Sequence, residues 1–171
     1  MMMGANHLKS NTKATELKSA LRSVLHNVGV LVVGFAFAYL GSMLDPVLGF
    51  SSFRSLWSWI LAYLFLATGF FIRVWATYCF YQDQMRVISL SPQQTLITSG
   101  PYAFSRNPLY LGGNVFIFLG AALWLGSPGA LILTVLHLPL MDLFVRREEK
   151  QLREKFGDEW INYEKRVRRW L

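Results

Sequence analysis

Residues 109–145 read LYLGGNVFIFLGAALWLGSPGALILTVLHLPLMDLFV, and this stretch decides the fold of the chain. It holds two apolar runs, at about residues 109–125 and 129–145, each close to the roughly 20 residues with which a helix crosses a bilayer. The turn between them, Gly126-Ser127-Pro128, is very short. We therefore expect the two runs to form an antiparallel pair of membrane-spanning helices.

Two further apolar runs precede this hairpin, at about residues 27–44 and 56–80. We expect Asp45-Pro46 to end the first, because proline cannot continue the helical hydrogen-bond pattern. The second carries Trp and Tyr at both ends, as is typical of residues at a membrane interface. The sequence thus predicts an all-α membrane protein with about four transmembrane helices and a cytoplasmic C-terminal helical tail.

The charge distribution supports a membrane protein and argues against a nucleic-acid partner. Only 16% of the 171 residues are charged, against about 25% in soluble domains. Residues 146–171 hold nine Lys and Arg and six Asp and Glu, more than half of all charges in the chain. Membrane proteins concentrate basic residues at their cytoplasmic ends, which accounts for the net charge of +7 without a nucleic acid. The expected partner is the lipid bilayer.

The same distribution predicts the topology and the division of the chain. Residues 1–26 form a basic cytoplasmic segment, residues 27–145 a transmembrane core with a cytoplasmic connection at 81–108, and residues 146–171 a cytoplasmic tail. This arrangement puts nearly all Lys and Arg on one side, as the positive-inside rule requires. We expect both termini in the cytoplasm and the protein in the inner or plasma membrane.

The tail has the character of a soluble helical segment. Arg146 to Phe156 continues the fourth span, Gly157 is a natural helix stop, and Asp158 is suited to cap a last helix. Aromatic and apolar residues then recur at helical spacing, at Trp160, Tyr163, Val167 and Trp170. This face either lies on the membrane surface or covers a site.

Residues 96–112 are polar and rich in turns, and they lie just before the third span. Gly100-Pro101 and Asn107-Pro108 each predict a turn. Pro108 suits the first position of a helix, whose free N–H groups can hold an anionic or polar ligand. Arg106 adds a positive charge there and serves either that ligand or a lipid phosphate.

A second polar feature follows the fourth span, where Glu148 and Glu149 are adjacent. The two carboxylates can hold a cation or ribose hydroxyls. Alternatively, Asp142, Arg146 and Glu149 share one helical face, and local ion pairs explain the run equally well.

Polar residues inside the spans have two interpretations each. Arg73 either faces a cavity or extends to the headgroups, and Asn114 either lines a cavity or hydrogen-bonds a neighbouring helix. His137 is more typical of a structural residue, and Gly113 and Gly120 of close helix packing. We expect no metal site, since no metal-ligand spacing is present.

Two longer stretches carry a family resemblance. Residues 98–112, TSGPYAFSRNPLYLG, and residues 147–167, REEKQLREKFGDEWINYEKRV, are similar to the isoprenylcysteine carboxyl methyltransferase and phospholipid methyltransferase superfamily of integral membrane enzymes. Arg73-Val74-Trp75-Ala76 resembles a motif in the preceding span. The resemblance covers roughly residues 70–170.

The resemblance implies methyl transfer from S-adenosylmethionine to a lipophilic acceptor at the cytoplasmic face of the membrane. It places the cofactor at Gly100, Tyr102, Arg106, Asn107, Tyr110, Leu111, Glu148 and Glu149. The expected catalytic residues are Arg106 and Glu149. The expected substrate contacts are Arg73, Asn114 and Tyr163. The acceptor stays open between a prenylcysteine-like carboxylate, a phospholipid amine and a small hydrophobic molecule.

One position departs from the superfamily pattern, which commonly has Arg-His-Pro where this chain has Arg106-Asn107-Pro108. Asparagine donates and accepts hydrogen bonds but does not titrate near neutral pH. Asn107 is therefore expected to bind or orient a partner and not to act as a base.

Two other classes of protein share part of this pattern. Membrane sterol reductases, which use NADPH, have a similar Arg-His-Pro-x-Tyr helix and an aromatic tail. A non-catalytic membrane protein on the same scaffold is the other alternative. The Glu148-Glu149 pair together with Phe156-Gly157 favours the methyltransferase.

Overall fold

Long helices form nearly the whole structure. The computed structural model describes residues 3–82 and 95–171, with side chains from residue 16 onward, and these residues contain no strand. In the described residues, four helices are long and apolar enough to span a membrane, namely Glu16–Leu48, Leu56–Gln82, Pro108–Leu125 and Pro128–Phe156. The predicted all-α membrane fold is thus confirmed. Residues 83–94, in the predicted 81–108 connection, lie outside the described residues.

Several shorter elements connect or extend these spans. In chain order the elements are α1 (Met3–Ser42), α2 (Leu44–Leu48), α3 (Leu56–Gln82), a 3-10 turn (Gly100–Ala103), α4 (Pro108–Tyr110), a π-helical segment (Leu111–Ile117), α5 (Phe118–Leu125), α6 (Pro128–Phe156) and α7 (Asp158–Arg166). Helix α1 packs against α3, α5 and α6, and α3 also packs against α5 and the π-helical segment.

The first span differs from the prediction at both ends. Helix α1 passes through residues 26 and 27 without a break, because Ser23 and Asn27 bury their polar groups against α3. Helix α1 ends at Ser42, just before the expected stop at Asp45-Pro46, and the short helix α2 follows from Leu44. Pro46 lies in the first turn of α2, where its missing N–H costs nothing. The chain then turns at Gly49, which has a positive φ of 68°.

The predicted hairpin is present. Gly126 adopts φ 60° at the end of α5, and the Ser127 side chain accepts a hydrogen bond from the Ala130 N–H at the start of α6. Helix α6 then continues to Phe156, as predicted, and Gly157 with φ 51° ends it. Asp158 does not cap α7 as expected. Gly157 occupies the cap position, and no side-chain cap hydrogen bond is formed.

Glycines allow α3 to approach the third span closely. A Cβ atom on Gly69 would lie 2.5 Å from the Gly112 carbonyl oxygen and 2.8 Å from Cβ of Phe116. A Cβ on Gly120 would lie 2.8 Å from Cγ of Leu66. Such backbone-to-backbone contact replaces the hydrophobic effect as a source of helix association inside a membrane. The expectation that Gly120 serves helix packing is confirmed.

Replacing Gly69 with alanine tests this packing. Since the Gly112 carbonyl is backbone and cannot move aside cheaply, we expect Gly69→Ala to lower the free energy of unfolding by about 1–3 kcal/mol. Gly29 is an exposed glycine in α1 at which an added Cβ would have no neighbour within 4 Å, so Gly29→Ala is the matched control. Thermal unfolding in detergent measures both variants. Equal melting temperatures for the two would contradict the close approach.

Candidate functional site

The segment before the third span is held by the C-terminal half of α3. Gly100 adopts φ 61°, and a Cβ there would lie 3.0 Å from Sγ of Cys79 and 3.1 Å from Nε1 of Trp75. Only glycine suits both the backbone conformation and the space. Two residues later, the Tyr102 ring packs on Phe80 with centroids 5.8 Å apart. This packing brings the 3-10 turn against α3.

The aromatic face of the tail packs inside the protein. Trp160 and Tyr163 are each only 2% exposed and cluster with Leu96. The Tyr163 hydroxyl donates a 2.7 Å hydrogen bond to the Tyr102 carbonyl. Of the two sequence interpretations, the structure therefore favours a face that covers the 96–102 segment. Trp170 lies beyond the end of α7.

Glu149 connects the segment before the third span to the tail. Its carboxylate is buried, with the residue only 6% exposed. Oε1 accepts a 2.9 Å hydrogen bond from Nδ2 of Asn107 and lies 3.5 Å from Nε of Arg106. Oε2 accepts from Nε and Nη2 of Arg169 at 2.9 and 2.8 Å. The buried charge is thus both neutralised and hydrogen-bonded.

Arg106 lies between two carboxylates. Its Nη1 is 2.8 Å from Oε1 of Glu164, and its side chain is 7% exposed. The guanidinium also stands over the Trp160 ring, 5.7 Å from the centroid, a favourable cation–π position. Hydrogen bonding to Arg106 is the largest effect that lowers the pKa of Glu164. Arg106 therefore pairs with carboxylates inside the protein and is not a lipid-phosphate anchor.

A second polar group adjoins this cluster. The side chains of Tyr110 and Glu148 are hydrogen-bonded to each other, and Glu148, unlike its neighbour Glu149, is exposed. The charge of Arg73 acts on both Tyr102 and Tyr110. Burial raises the pKa of the Tyr102 hydroxyl well above its ordinary value, and this hydroxyl has no hydrogen-bond partner among the described residues. The arrangement places polar groups around one region beside the start of the third span.

Arg73 is held between three helices and does not extend to the headgroups. Its Nε donates to Oδ1 of Asn27 at 2.8 Å, Nη1 donates to the Leu109 carbonyl at 2.6 Å, and Nη2 lies 3.4 Å from Nε2 of His26. Gly113 makes room for it, since a Cβ there would lie 2.7 Å from Nη1. Arg73 thus supports the Leu109 carbonyl just before the helix changes to π geometry.

The other two expected substrate residues lie apart from each other. Asn114 pairs with His137 on α6, with 2.9 Å between Nδ2 and Nε2. This pair agrees with the interhelical interpretation of Asn114 and the structural interpretation of His137. Tyr163 reaches Tyr102 as described above. The structure therefore brings Arg106, Asn107 and Glu149 together and joins Tyr110 to Glu148, while Asn114 belongs to a separate contact.

Sequence reasoning missed three residues that complete these clusters. Asn27 carries a detectable signal, because Ser19, Ser23 and Asn27 recur every four residues along α1. Glu164 and Arg169 carry none, since charged residues are common throughout the tail. Their partners are distant in sequence, and only the folded chain identifies them.

Comparison with known proteins gives one family and one relative. The sequence profile described as Phospholipid methyltransferase matches residues 57–159, more than half of the chain. A protein of Haemophilus influenzae, described as an uncharacterized protein, is 40% identical over 58 residues, which are 33% of this chain and 92% of that protein. No solved structure matches the chain significantly.

Substitution of Asn107 tests the Glu149 cluster. We expect Asn107→Leu to lower the free energy of unfolding by about 1–3 kcal/mol, because a buried carboxylate oxygen loses its hydrogen-bond donor. Asn107→His should retain most of the stability, since a ring N–H can donate in the same place. Thermal unfolding in detergent is the measurement.

The matched control is Asn162→Leu, the same change at an exposed position on α7. Its effect should stay within about 0.5 kcal/mol. A melting temperature of Asn107→Leu equal to that of the parent would remove Asn107 from the cluster that stabilises the fold.

Proposed function

The chain belongs to the phospholipid methyltransferase family, and from this premise we propose that it transfers a methyl group from S-adenosylmethionine to a lipophilic acceptor at the cytoplasmic face of the membrane. The family is one of membrane methyltransferases, and the four apolar helices agree with an integral membrane protein. We place both termini in the cytoplasm, as the Lys and Arg distribution predicts. The water-soluble donor then reaches the site from the cytosol.

The observation that carries this proposal is the contact of Glu149 with Asn107 and Arg106. The 2.9 Å hydrogen bond from Asn107 joins the segment before the hairpin to the Glu148-Glu149 segment after it. These are the two segments that the family resemblance assigns to the cofactor, and they lie 42 residues apart in the chain. The contact supports a site that the tail, residues 146–171, completes.

The polar groups beside this contact fit the chemistry of the proposed cofactor. S-adenosylmethionine carries a carboxylate, ribose hydroxyls and ring nitrogens that accept hydrogen bonds, and an ammonium group and sulfonium that favour a carboxylate nearby. The Tyr102 hydroxyl and Nε1 of Trp160 are buried and have no hydrogen-bond partner among the described residues. Glu148 offers an exposed carboxylate. Buried donors without partners are costly, and a ligand that accepts from them removes this cost.

Within this proposal Glu148 and Glu149 have different roles. Glu148 faces the cofactor in this proposal, because the residue is exposed and the described partner of its carboxylate is the neutral Tyr110. Glu149 acts indirectly, since both of its oxygens already accept hydrogen bonds from the protein. It holds Arg106 and Asn107 at the edge of the site.

When bound, the cofactor supplies an activated methyl group, so the residues of the chain mainly align the acceptor and exclude water. A carboxylate acceptor needs no base. An ammonium acceptor must first lose a proton, and Glu148 or Tyr110 is then the group placed to take it. Each nitrogen of the Arg73 guanidinium already contacts a protein group, so within this proposal Arg73 contributes mainly its positive charge.

Methyl transfer is tested directly with purified protein, S-adenosylmethionine labelled in its methyl group, and a total lipid extract. We expect label in a lipid-soluble product, whose identification gives the acceptor. Arg106→Lys should insert and fold but lose at least about tenfold in turnover, equivalent to roughly 1.4 kcal/mol. A lysine cannot replace a planar guanidinium that meets Glu149, Glu164 and the Trp160 ring together.

The matched control is Arg146→Lys, at a side chain that is 58% exposed and pairs with Asp142 on its own helix. It should keep the turnover of the parent. Absence of labelled product from the parent protein with every lipid fraction, together with tight NADPH binding, would replace methyl transfer with the reductase hypothesis.

A further inference from the structure

Arg168 and Arg169, which follow helix α7, lie against the segment that precedes the third span. Helix α7 ends at Arg166, and Val167 is extended, with φ −121° and ψ 130°. The N–H of Arg106 donates to the Arg168 carbonyl at 2.9 Å, and Oγ of Ser105 donates to the Arg169 carbonyl at 3.1 Å. We call residues 168–169 the C-terminal strap. The strap lies outside residues 57–159, which match the family profile.

The side chain of Arg169 reinforces these backbone contacts. Its Nε and Nη2 both donate to Oε2 of Glu149, at 2.9 and 2.8 Å, and its Nη1 lies 3.9 Å from Oδ1 of Asp142. Among the described residues, the groups that donate hydrogen bonds to Oε2 of Glu149 are these two nitrogens of Arg169. The other oxygen of Glu149 holds Asn107, which also donates to the Arg169 carbonyl at 3.3 Å.

We propose that Arg169 is a positioning residue of the methyl-transfer site: by fixing the Glu149 carboxylate, it holds Arg106 and Asn107 in the geometry that binds the cofactor. This inference rests on the proposed function. Arg169 itself needs no contact with the cofactor. Its guanidinium satisfies Oε2, which leaves Oε1 directed at Asn107 and Arg106.

The charges around Arg106 explain why the loss of Arg169 would disturb the site. Arg106 lies between Glu149, at 3.5 Å, and Glu164, at 2.8 Å. Without Arg169, Glu149 retains a full buried charge with Arg106 as its remaining cationic partner among the described residues. Glu149 then attracts Arg106 more strongly, and the side chain moves away from Glu164. When a buried carboxylate loses a cationic partner, contact with another cation becomes more favourable, because the cost of desolvating the carboxylate is large.

The test compares Arg169→Ala and Arg169→Lys with Arg166→Ala as the matched control. Arg166 is an exposed guanidinium of the same tail, and its described hydrogen bond goes to the Asn162 carbonyl within α7. The first measurement is hydrogen exchange of the peptide containing residues 105–107, without any ligand. The second is KM for S-adenosylmethionine and kcat at saturation.

We expect Arg169→Ala to expose the 105–107 amides to faster exchange and to raise KM at least about tenfold, with a smaller loss of kcat than in Arg106→Lys. A change in KM separates lost positioning from a general loss of folded protein, which would lower the apparent kcat and leave KM unchanged. Arg169→Lys should fall between the parent and Arg169→Ala, since it keeps the charge but not the two-pronged donor. Arg166→Ala should match the parent in both measurements.

Parental exchange and parental KM in Arg169→Ala would overturn the proposal. A lower KM would overturn it as well, because the strap would then obstruct the cofactor. If Arg169→Ala does not fold, Arg169→Lys decides by the same two readouts. If the parent protein binds no S-adenosylmethionine, the proposed function fails, while the exchange measurement still decides whether Arg169 holds residues 105–107.

Discussion

The buried carboxylate of Glu149 is the interaction on which the candidate site of this protein depends. A carboxylate that is 6% exposed is stable only where cations and hydrogen-bond donors surround it. The chain supplies them from two distant places, with Asn107 and Arg106 on one side and Arg169 on the other. Three segments thereby meet at Glu149, namely the 106–107 segment, α6 and the chain after α7, and α6 contributes this central residue to the candidate site.

A comparable constraint operates inside the membrane. Arg73 carries a charge within the second span, and such a group must find partners in the protein because lipid offers none. Its three guanidinium nitrogens contact Asn27, His26 and the Leu109 carbonyl. The same contacts connect α1 and α3 to the start of the third span. The partners that stabilise the buried charge of Arg73 therefore also support the segment that carries Arg106 and Asn107.

These two polar clusters suit an enzyme that works at a membrane surface. Tyr110 lies at the start of the third span, and its partner Glu148, an exposed residue, lies in the extension of the fourth. Under the proposed function, an aqueous cofactor and a lipid acceptor would meet there. The aromatic face of α7 covers part of the polar segment, since Trp160 and Tyr163 pack against Leu96. In a site with little water, fixed charges such as Arg106 act more strongly than at an open surface.

The sequence by itself determined the membrane class, the four spans, the hairpin and the long extension of α6, because length, hydrophobicity and turn residues act locally. It also identified Arg106, Asn107 and the Glu148-Glu149 pair, through motifs whose order and spacing resemble a known family. Helix α1 ends just before the stop expected at Asp45-Pro46, but the short helix α2 was not predicted, because proline is harmless in a first turn and a helix start depends on the surrounding chain.

Only the tertiary structure decided which polar groups pair. Arg73 is 46 residues from Asn27, and Arg169 is 20 residues from Glu149, so neither pairing leaves a local pattern in the sequence. Nor does sequence distinguish Glu148 from Glu149, although one is exposed and the other is buried. The physical reason is that the cost of burying a charge is set by the packing of distant helices, and that packing exists only in the folded chain.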